Sequence, residues 1–102
     1  MYKVPISVVI PCFNEEEVIE LTVERVSKVL SDELETFEII VVDDGSSDNT
    51  SIVLDNISKK FDTLKIVKNS NNQGIWSSWK KGTNEASHEC IAIFDADLQY
   101  QA

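Results

Sequence analysis

Two carboxylates and an amide follow the last apolar run of the chain, where Cys90-Ile91-Ala92-Ile93-Phe94 leads into Asp95-Ala96-Asp97-Leu98-Gln99. Five mostly apolar residues bounded by polar ones predict a buried strand. In an extended segment, residues two apart share a side, so Asp95 and Asp97 address one point and Gln99 continues the spacing. Hard oxygen ligands gathered this way suit Mg²⁺ or Mn²⁺, above all with a diphosphate filling the remaining positions. Taken alone, Asp-Ala-Asp also fits a chain leaving a sheet for solvent. A second acidic pair, Asp43-Asp44, follows the apolar run 37–42. Adjacent like charges at a strand end repel unless a ligand or donor offsets them, although turns are rich in aspartate for other reasons.

The elements that must position these groups can be read in order. Ile6-Ser7-Val8-Val9-Ile10 predicts a buried first strand stopped by Pro11. After Cys12-Phe13, Asn14 is a good N-cap with Glu17 as its capping-box partner, and Val18, Leu21, Thr22, Val26, Val29 and Leu30 recur at helical spacing. A helix over 15–31 follows, and Glu15, Glu16 and Glu17 complement its dipole without any catalytic role. Residues 37–42 form the second strand. Gly45-Ser46-Ser47-Asp48 then makes a turn, and Ser47 or Asp48 caps a helix whose apolar face is Ile52, Val53, Leu54, Ile57 and Phe61. The shorter, more polar run 64–68 reads as an edge strand, and residues 69–74 as a loop of turn formers. A third helix places Ile75, Trp76, Trp79, Gly82, Thr83 and Ala86 on one face, which reads as core packing, with Lys80 and Lys81 a solvated pair. His88 reads as a surface residue of the turn before the last strand.

Strands alternating with helices through short links call for an α/β fold: three layers, α/β/α, around a mainly parallel, Rossmann-like sheet. Ligands of such sheets bind outside the carboxyl ends of the strands, at the point where strand order reverses. Pro11, Asp43-Asp44, residues 69–72 and residues 95–99 all fall at carboxyl ends. Four polar clusters converging on one edge are far more informative than any one of them.

The totals narrow the ligand. At 102 residues and 42% hydrophobic content, the chain makes one domain with a single core and no internal boundary. Eighteen acidic residues against nine basic ones give a net charge of −9, which excludes a nucleic-acid footprint. A phosphate ligand remains compatible, because a divalent metal reverses the local sign. No run approaches a membrane span, and Met1-Tyr2-Lys3 opens no signal peptide. Two cysteines without metal-ligand spacing point to a reducing compartment, the cytoplasm. Cys12 lies just past the carboxyl end of the first strand and Cys90 begins its parallel neighbour, so no disulfide joins them. The three glycines form neither G-x-G-x-x-G nor a P-loop, which removes the dinucleotide and P-loop readings.

Four blocks now carry a resemblance: residues 8–15 (Val-Val-Ile-Pro-Cys-Phe-Asn-Glu), residues 41–48 (Val-Val-Asp-Asp-Gly-Ser-Ser-Asp), Asn72-Gln73-Gly74 with Gly82, and Asp95-Ala96-Asp97-Leu98-Gln99. In this order they resemble family 2 glycosyltransferases of GT-A fold, most closely the branch that transfers sugars to polyprenyl phosphates, the dolichol-phosphate mannosyltransferase type. The resemblance implies an inverting transferase that uses a UDP- or GDP-sugar and a divalent metal, with a polyprenyl phosphate or a glycan as acceptor. Residues 1–102 would be its donor-binding part, with the acceptor half and the catalytic base downstream and the whole protein at the cytoplasmic face of a membrane.

The same resemblance implies that Pro11, Cys12, Phe13 and Glu15 border the nucleotide, and that Asp43 or Asp44 accepts from the base. Asp95, beside Ala96, would face the ribose or the metal's water shell, Asp97 with Gln99 would hold the metal, and Lys80 would face phosphate. The chain departs from the pattern at Ile75, where Lys is frequent, and at Trp76, where a small residue is frequent. Two other readings compete. One is a non-catalytic nucleotide-binding or scaffold fragment. The other is a phospho-receiver domain, which lacks support because Pro11-Cys12 stands where its acidic pair belongs.

Overall fold

Runs of β-branched residues give the central strands, and the computed structural model, which describes residues 4–93, arranges four of them in one parallel sheet. The strands are β1 (Ile6–Cys12), β2 (Phe37–Asp44), β3 (Leu64–Asn69) and β4 (Cys90–Ile93), and the order is β3-β2-β1-β4. Between them run α1 (Ile19–Glu33), α2 (Thr50–Ile57) and α3 (Ile75–Glu85). The first two crossovers step in one direction across the sheet and the third steps back past β1. With a constant crossover hand, α1 and α2 must cover one face and α3 the other.

The packing shows this division residue by residue. Val8, Ile10, Cys12, Ile39 and Val41 join Ile19, Val23, Val26, Leu30, Leu54 and Ile57 in the larger core. Their neighbours Val9, Ile40 and Val42 point to the opposite face, as the strand period of two requires. Gly82 lets α3 lie directly on that face: a Cβ there would stand 2.4 Å from Val9 Cγ1 and 3.2 Å from Val42 Cγ2. The order reverses between β1 and β4, so the crevice at their carboxyl ends is where this fold accepts ligands.

Four expectations are corrected. Pro11 does not stop β1, which pairs through Pro11–Val42 and Cys12–Asp43; the missing proline N–H is tolerated because it falls near the strand's end. Asn14 does not cap α1. It sits in the left-handed region at φ 54°, its side chain bonds the β2–α2 turn, and the helix begins at Ile19 without a side-chain cap. Glu15, Glu16 and Glu17 therefore precede the helix instead of filling its first turn. The α1 stripe is Ile19, Thr22, Val23, Val26 and Leu30, leaving Leu21 and Val29 exposed, and Ile52 of α2 is exposed too.

The fourth correction concerns α3. Its buried residues are small, Ser78 and Gly82, whereas Ile75 and Trp76 are 56% and 74% exposed. Trp76 and Trp79 pack edge to face, their ring centroids 4.9 Å apart.

Candidate functional site

β2 carries its strand pairing through both aspartates, Asp43 opposite Cys12 and Lys68, Asp44 opposite Asn69. Consecutive strand residues face opposite sides of a sheet, so adjacency in sequence separates the two carboxylates in space. Both are nearly enclosed, at 3% and 4% exposure, yet their surroundings differ.

Asp44 belongs to the α3 side. Its Oδ1 accepts Asn69 Nδ2 at 2.7 Å and the Gln73 N–H at 2.9 Å, and its Oδ2 accepts the Gly74 N–H at 2.8 Å. Burial pushes this carboxyl up, but the donors from Asn69, Gln73 and Gly74 outweigh it and hold the group below its usual range. Gly74 is the N-cap residue of α3, so Asp44 pins the β3–α3 loop and places an anion at the helix start. Gly45, at φ 72°, lies against the same loop, where a Cβ would meet Asn71 C at 2.3 Å.

Asp43 belongs to the α1/α2 side. Its Oδ1 accepts the Ser46 N–H at 3.1 Å and the Ser46 hydroxyl at 2.5 Å. Among the described residues no donor reaches its Oδ2. Of the two aspartates that the sequence left as alternatives, one is consumed by architecture and the other has an oxygen to offer.

The β1–α1 and β2–α2 turns are stitched together around Asp43. Ser46 Oγ accepts the Asn14 N–H at 2.9 Å, and Asn14 Oδ1 accepts the Ser47 N–H at 2.8 Å. Thr50 Oγ1 accepts the Glu15 N–H at 2.9 Å and donates to Asp48 Oδ1 at 2.5 Å. Pro11 and Cys12 are buried at the end of β1, and Phe13 follows them, exposed, at the same edge. Burial pushes the Cys12 thiol well above its ordinary value, and the negative charges of Asp43 and Glu15 push it further. Cys12 therefore acts here as a small apolar wall and not as a nucleophile.

The structure distinguishes the two adjacent lysines. Lys80 stands two residues from both buried positions of α3, Ser78 and Gly82, which turns it away from the sheet. Lys81 points the other way, its Nζ donating to Asn69 Oδ1 and so joining the Asp44 cluster. Sequence reasoning also passed over Glu38. This charge at the start of the apolar run of β2 accepts the Ser7 hydroxyl at 2.6 Å and the Ser87 N–H at 2.5 Å, and it pairs with Lys65 at 3.0 Å. Burial raises its carboxyl, but those three donors more than compensate and lower it to about 2. The network ties the turn before β4, including the His88 N–H on Ser7 Oγ, to the amino ends of β1 and β2. A charged residue interrupting an otherwise apolar run was the available signal.

Asp95, Ala96, Asp97 and Gln99 lie outside the described residues. Among those described, no cluster of three or more His, Cys, Asp or Glu side chains is placed to hold a metal. The donor set in the sequence, two carboxylates and an amide oxygen, fits a hard divalent cation. β4 runs parallel with β1, and its last residue, Ile93, pairs with Val9. No described helix is long and apolar enough to cross a membrane, and both cysteines are free thiols.

Comparison with known proteins agrees with this geometry. An undecaprenyl-phosphate 4-deoxy-4-formamido-L-arabinose transferase of Proteus mirabilis is 38% identical over 96 residues, 92% of this chain and 29% of that protein. A dolichol-phosphate mannosyltransferase of Pyrococcus furiosus is 35% identical over 95 residues, 93% of this chain and 26% of the other. A mannosyltransferase of Pyrobaculum calidifontis, solved in complex with GDP-Man and Mn²⁺, superposes with a TM-score of 0.81 at 25% identity, over 94% of this chain and 28% of that one. The chain thus spans less than a third of the length of these proteins. Residues 7–102 match the model of glycosyl transferase family 2, and the chain belongs to that family.

Proposed function

We propose that residues 1–102 form the donor-binding part of an inverting glycosyltransferase that takes a nucleotide-diphosphosugar and passes the sugar to a polyprenyl phosphate. The observation that carries the reading is Asp43: an enclosed carboxylate at the carboxyl edge with one oxygen held by Ser46 and the other open among the described residues. An enclosed acceptor demands a donor, and the imide or amide N–H of uracil or guanine supplies one. Pro11, Cys12 and Phe13 border the base, while Asp44 and Gly45 hold the β3–α3 loop clear of it. Asp97 with Gln99 and Asp95 would hold Mg²⁺ or Mn²⁺ against the diphosphate. A cation bound there would offset charge developing on the departing nucleoside diphosphate.

In the transfer, an acceptor oxygen bonds to the anomeric carbon from the face opposite the diphosphate. The carbon–oxygen bond to the donor breaks, and its electron pair leaves with the nucleoside diphosphate. A phosphate acceptor is already an anion and needs no base, which makes a polyprenyl phosphate a better match to these residues than a glycan hydroxyl. The lipid-phosphate substrates named for two of the relatives support the same choice. Free cysteines support a cytoplasmic location. The test is transfer by the full-length protein from UDP- and GDP-sugars to a polyprenyl phosphate, with Mn²⁺ and with a chelator. Metal-dependent transfer with inversion is expected; nucleotide binding without transfer to any acceptor would favour a non-catalytic fragment instead.

A further inference from the structure

A helix that covers a sheet ordinarily turns its large apolar side chains inward. α3 does the reverse. Ser78 and Gly82 face the sheet, and a Cβ at Gly82 would stand 2.4 Å from Val9 Cγ1, which leaves no room for a larger side chain there. Ile75 and Trp76 are left outside, at 56% and 74% exposure, with Trp79 half-buried and packed edge to face against Trp76. The patch lies at the carboxyl edge of the sheet because α3 starts there: Asp44 Oδ2 accepts the Gly74 N–H at 2.8 Å, two residues before Trp76. Lys80 is one turn further along the face of Trp76, exposed and without an ion pair among the described residues. The other exposed apolar side chains of the helices, Leu21, Val29 and Ile52, share α1 and α2 with the acidic Glu20, Glu24, Glu33 and Asp55.

Resting on the lipid-phosphate reading above, we propose that Ile75, Trp76 and Lys80 form a membrane-contact surface that seats the carboxyl edge on the headgroup boundary of an anionic bilayer. Tryptophan suits that boundary, since its large apolar ring carries one polar N–H. A lysine beside it buries its stem and sends its ammonium group to the lipid phosphates. The phosphate of an embedded acceptor lies at headgroup depth, so contact at this edge brings it to the donor without lifting the lipid out. Charge selects this face over the others. At a net −9 the chain as a whole is repelled by anionic lipid. Of the three described helices, only α3 carries more basic than acidic residues, Lys80 and Lys81 against Glu85. Size argues against a second copy of the chain as the occupant. Ile75, Trp76 and the accessible part of Trp79 offer a few hundred Å², well short of the roughly 800 Å² per partner of a stable dimer.

The experiment places the full-length protein on vesicles of phosphatidylcholine, with and without phosphatidylglycerol, whose acyl chains are brominated near the headgroup. Bromine quenches an indole it touches, so the quenching that wild type shows beyond Trp76→Phe belongs to residue 76. That difference should be present and should grow with phosphatidylglycerol; equal quenching of the two proteins overturns the proposal. In transfer assays, Trp76→Ser should raise the KM for polyprenyl phosphate embedded in vesicles by about tenfold, with Trp76→Phe close to wild type. The KM for a short-chain, water-soluble prenyl phosphate should not change. Melting temperatures check that each variant folds. An equal rise for both acceptors would place the patch beneath another segment of the chain, and a wild-type dimer that Trp76→Ser dissociates would make it an interface between copies; either overturns the proposal. Wild type that transfers to neither acceptor overturns the lipid-phosphate reading alone, and the quenching then decides the membrane contact by itself.

Discussion

Replacing Asp44 with asparagine should damage the fold, while the same change at Asp43 should not. Asparagine keeps one acceptor oxygen. If it stays under Asn69 Nδ2 and the Gln73 N–H, the new NH₂ group faces the Gly74 N–H, and a buried donor is orphaned. An orphaned donor costs about 1–3 kcal/mol, and the two surviving bonds each lose about 1 kcal/mol of charge assistance. Contacts that share a site do not add fully, so about 3 kcal/mol is the expected loss. A domain of this size is stable by about 5–15 kcal/mol, so the melting temperature should fall by roughly 10–20 °C. In Asp43→Asn the retained oxygen still serves Ser46, and the NH₂ replaces an oxygen with no described donor. Its loss should stay within about 1 kcal/mol. Urea unfolding followed by circular dichroism reads both variants. Equal losses, or an Asp44→Asn protein within about 1 kcal/mol of wild type, would refute the separation of the two aspartates into different roles.

The Glu38 carboxyl, lowered from 4.5 to about 2, contributes stability above its unfolded value that is lost as pH falls from about 4.5 toward 2. At about 1.4 kcal/mol per tenfold change in proton affinity this comes to somewhat over 3 kcal/mol, and Glu38→Gln should flatten that part of the pH–stability curve; superimposable acid limbs would contradict the network. In the native protein at pH 8 a thiol reagent should modify exposed Cys90 and spare buried Cys12, with both reacting once the chain is unfolded; rapid native labelling of Cys12 would contradict its placement. Gly82→Ala should lower stability by about 1–3 kcal/mol through the clash with Val9 and Val42, and a neutral effect in urea unfolding would show that α3 does not sit so close to the sheet.

The strand sequence and sheet direction were legible because buried parallel strands require long apolar runs, as at residues 37–42, and because short links between alternating elements leave few topologies. What local patterns could not show was which partner a polar side chain takes. Asn14 has the chemistry of an N-cap, but the β2–α2 turn offers it Ser47 and Asp48 N–H groups, and tertiary bonding wins over local capping. The α1 stripe is legible at Thr22, Val26 and Leu30, whereas Leu21 and Val29 compete with Ile19 and Val23 for the remaining positions of the same periodicity.

Tryptophans three apart suggested core, yet α3 is set against the sheet by Ser78 and Gly82, whose small size permits the close approach and leaves Trp76 outside. At the site, the convergence of loops on one edge was visible in sequence. The division of labour between Asp43 and Asp44 was not, since it follows from the strand continuing through both and turning them to opposite faces.

The central claim is that this edge binds a nucleotide through Asp43 and a metal through Asp97. Its most direct test is the affinity of the full-length protein for UDP and GDP, with and without Mn²⁺, in wild type, Asp43→Asn and Asp97→Ala. Wild type should bind more tightly with Mn²⁺. Asp43→Asn should weaken binding by about 1–3 kcal/mol at unchanged stability, and Asp97→Ala should abolish the metal dependence. The same affinity in all three proteins, with or without the cation, would contradict the account.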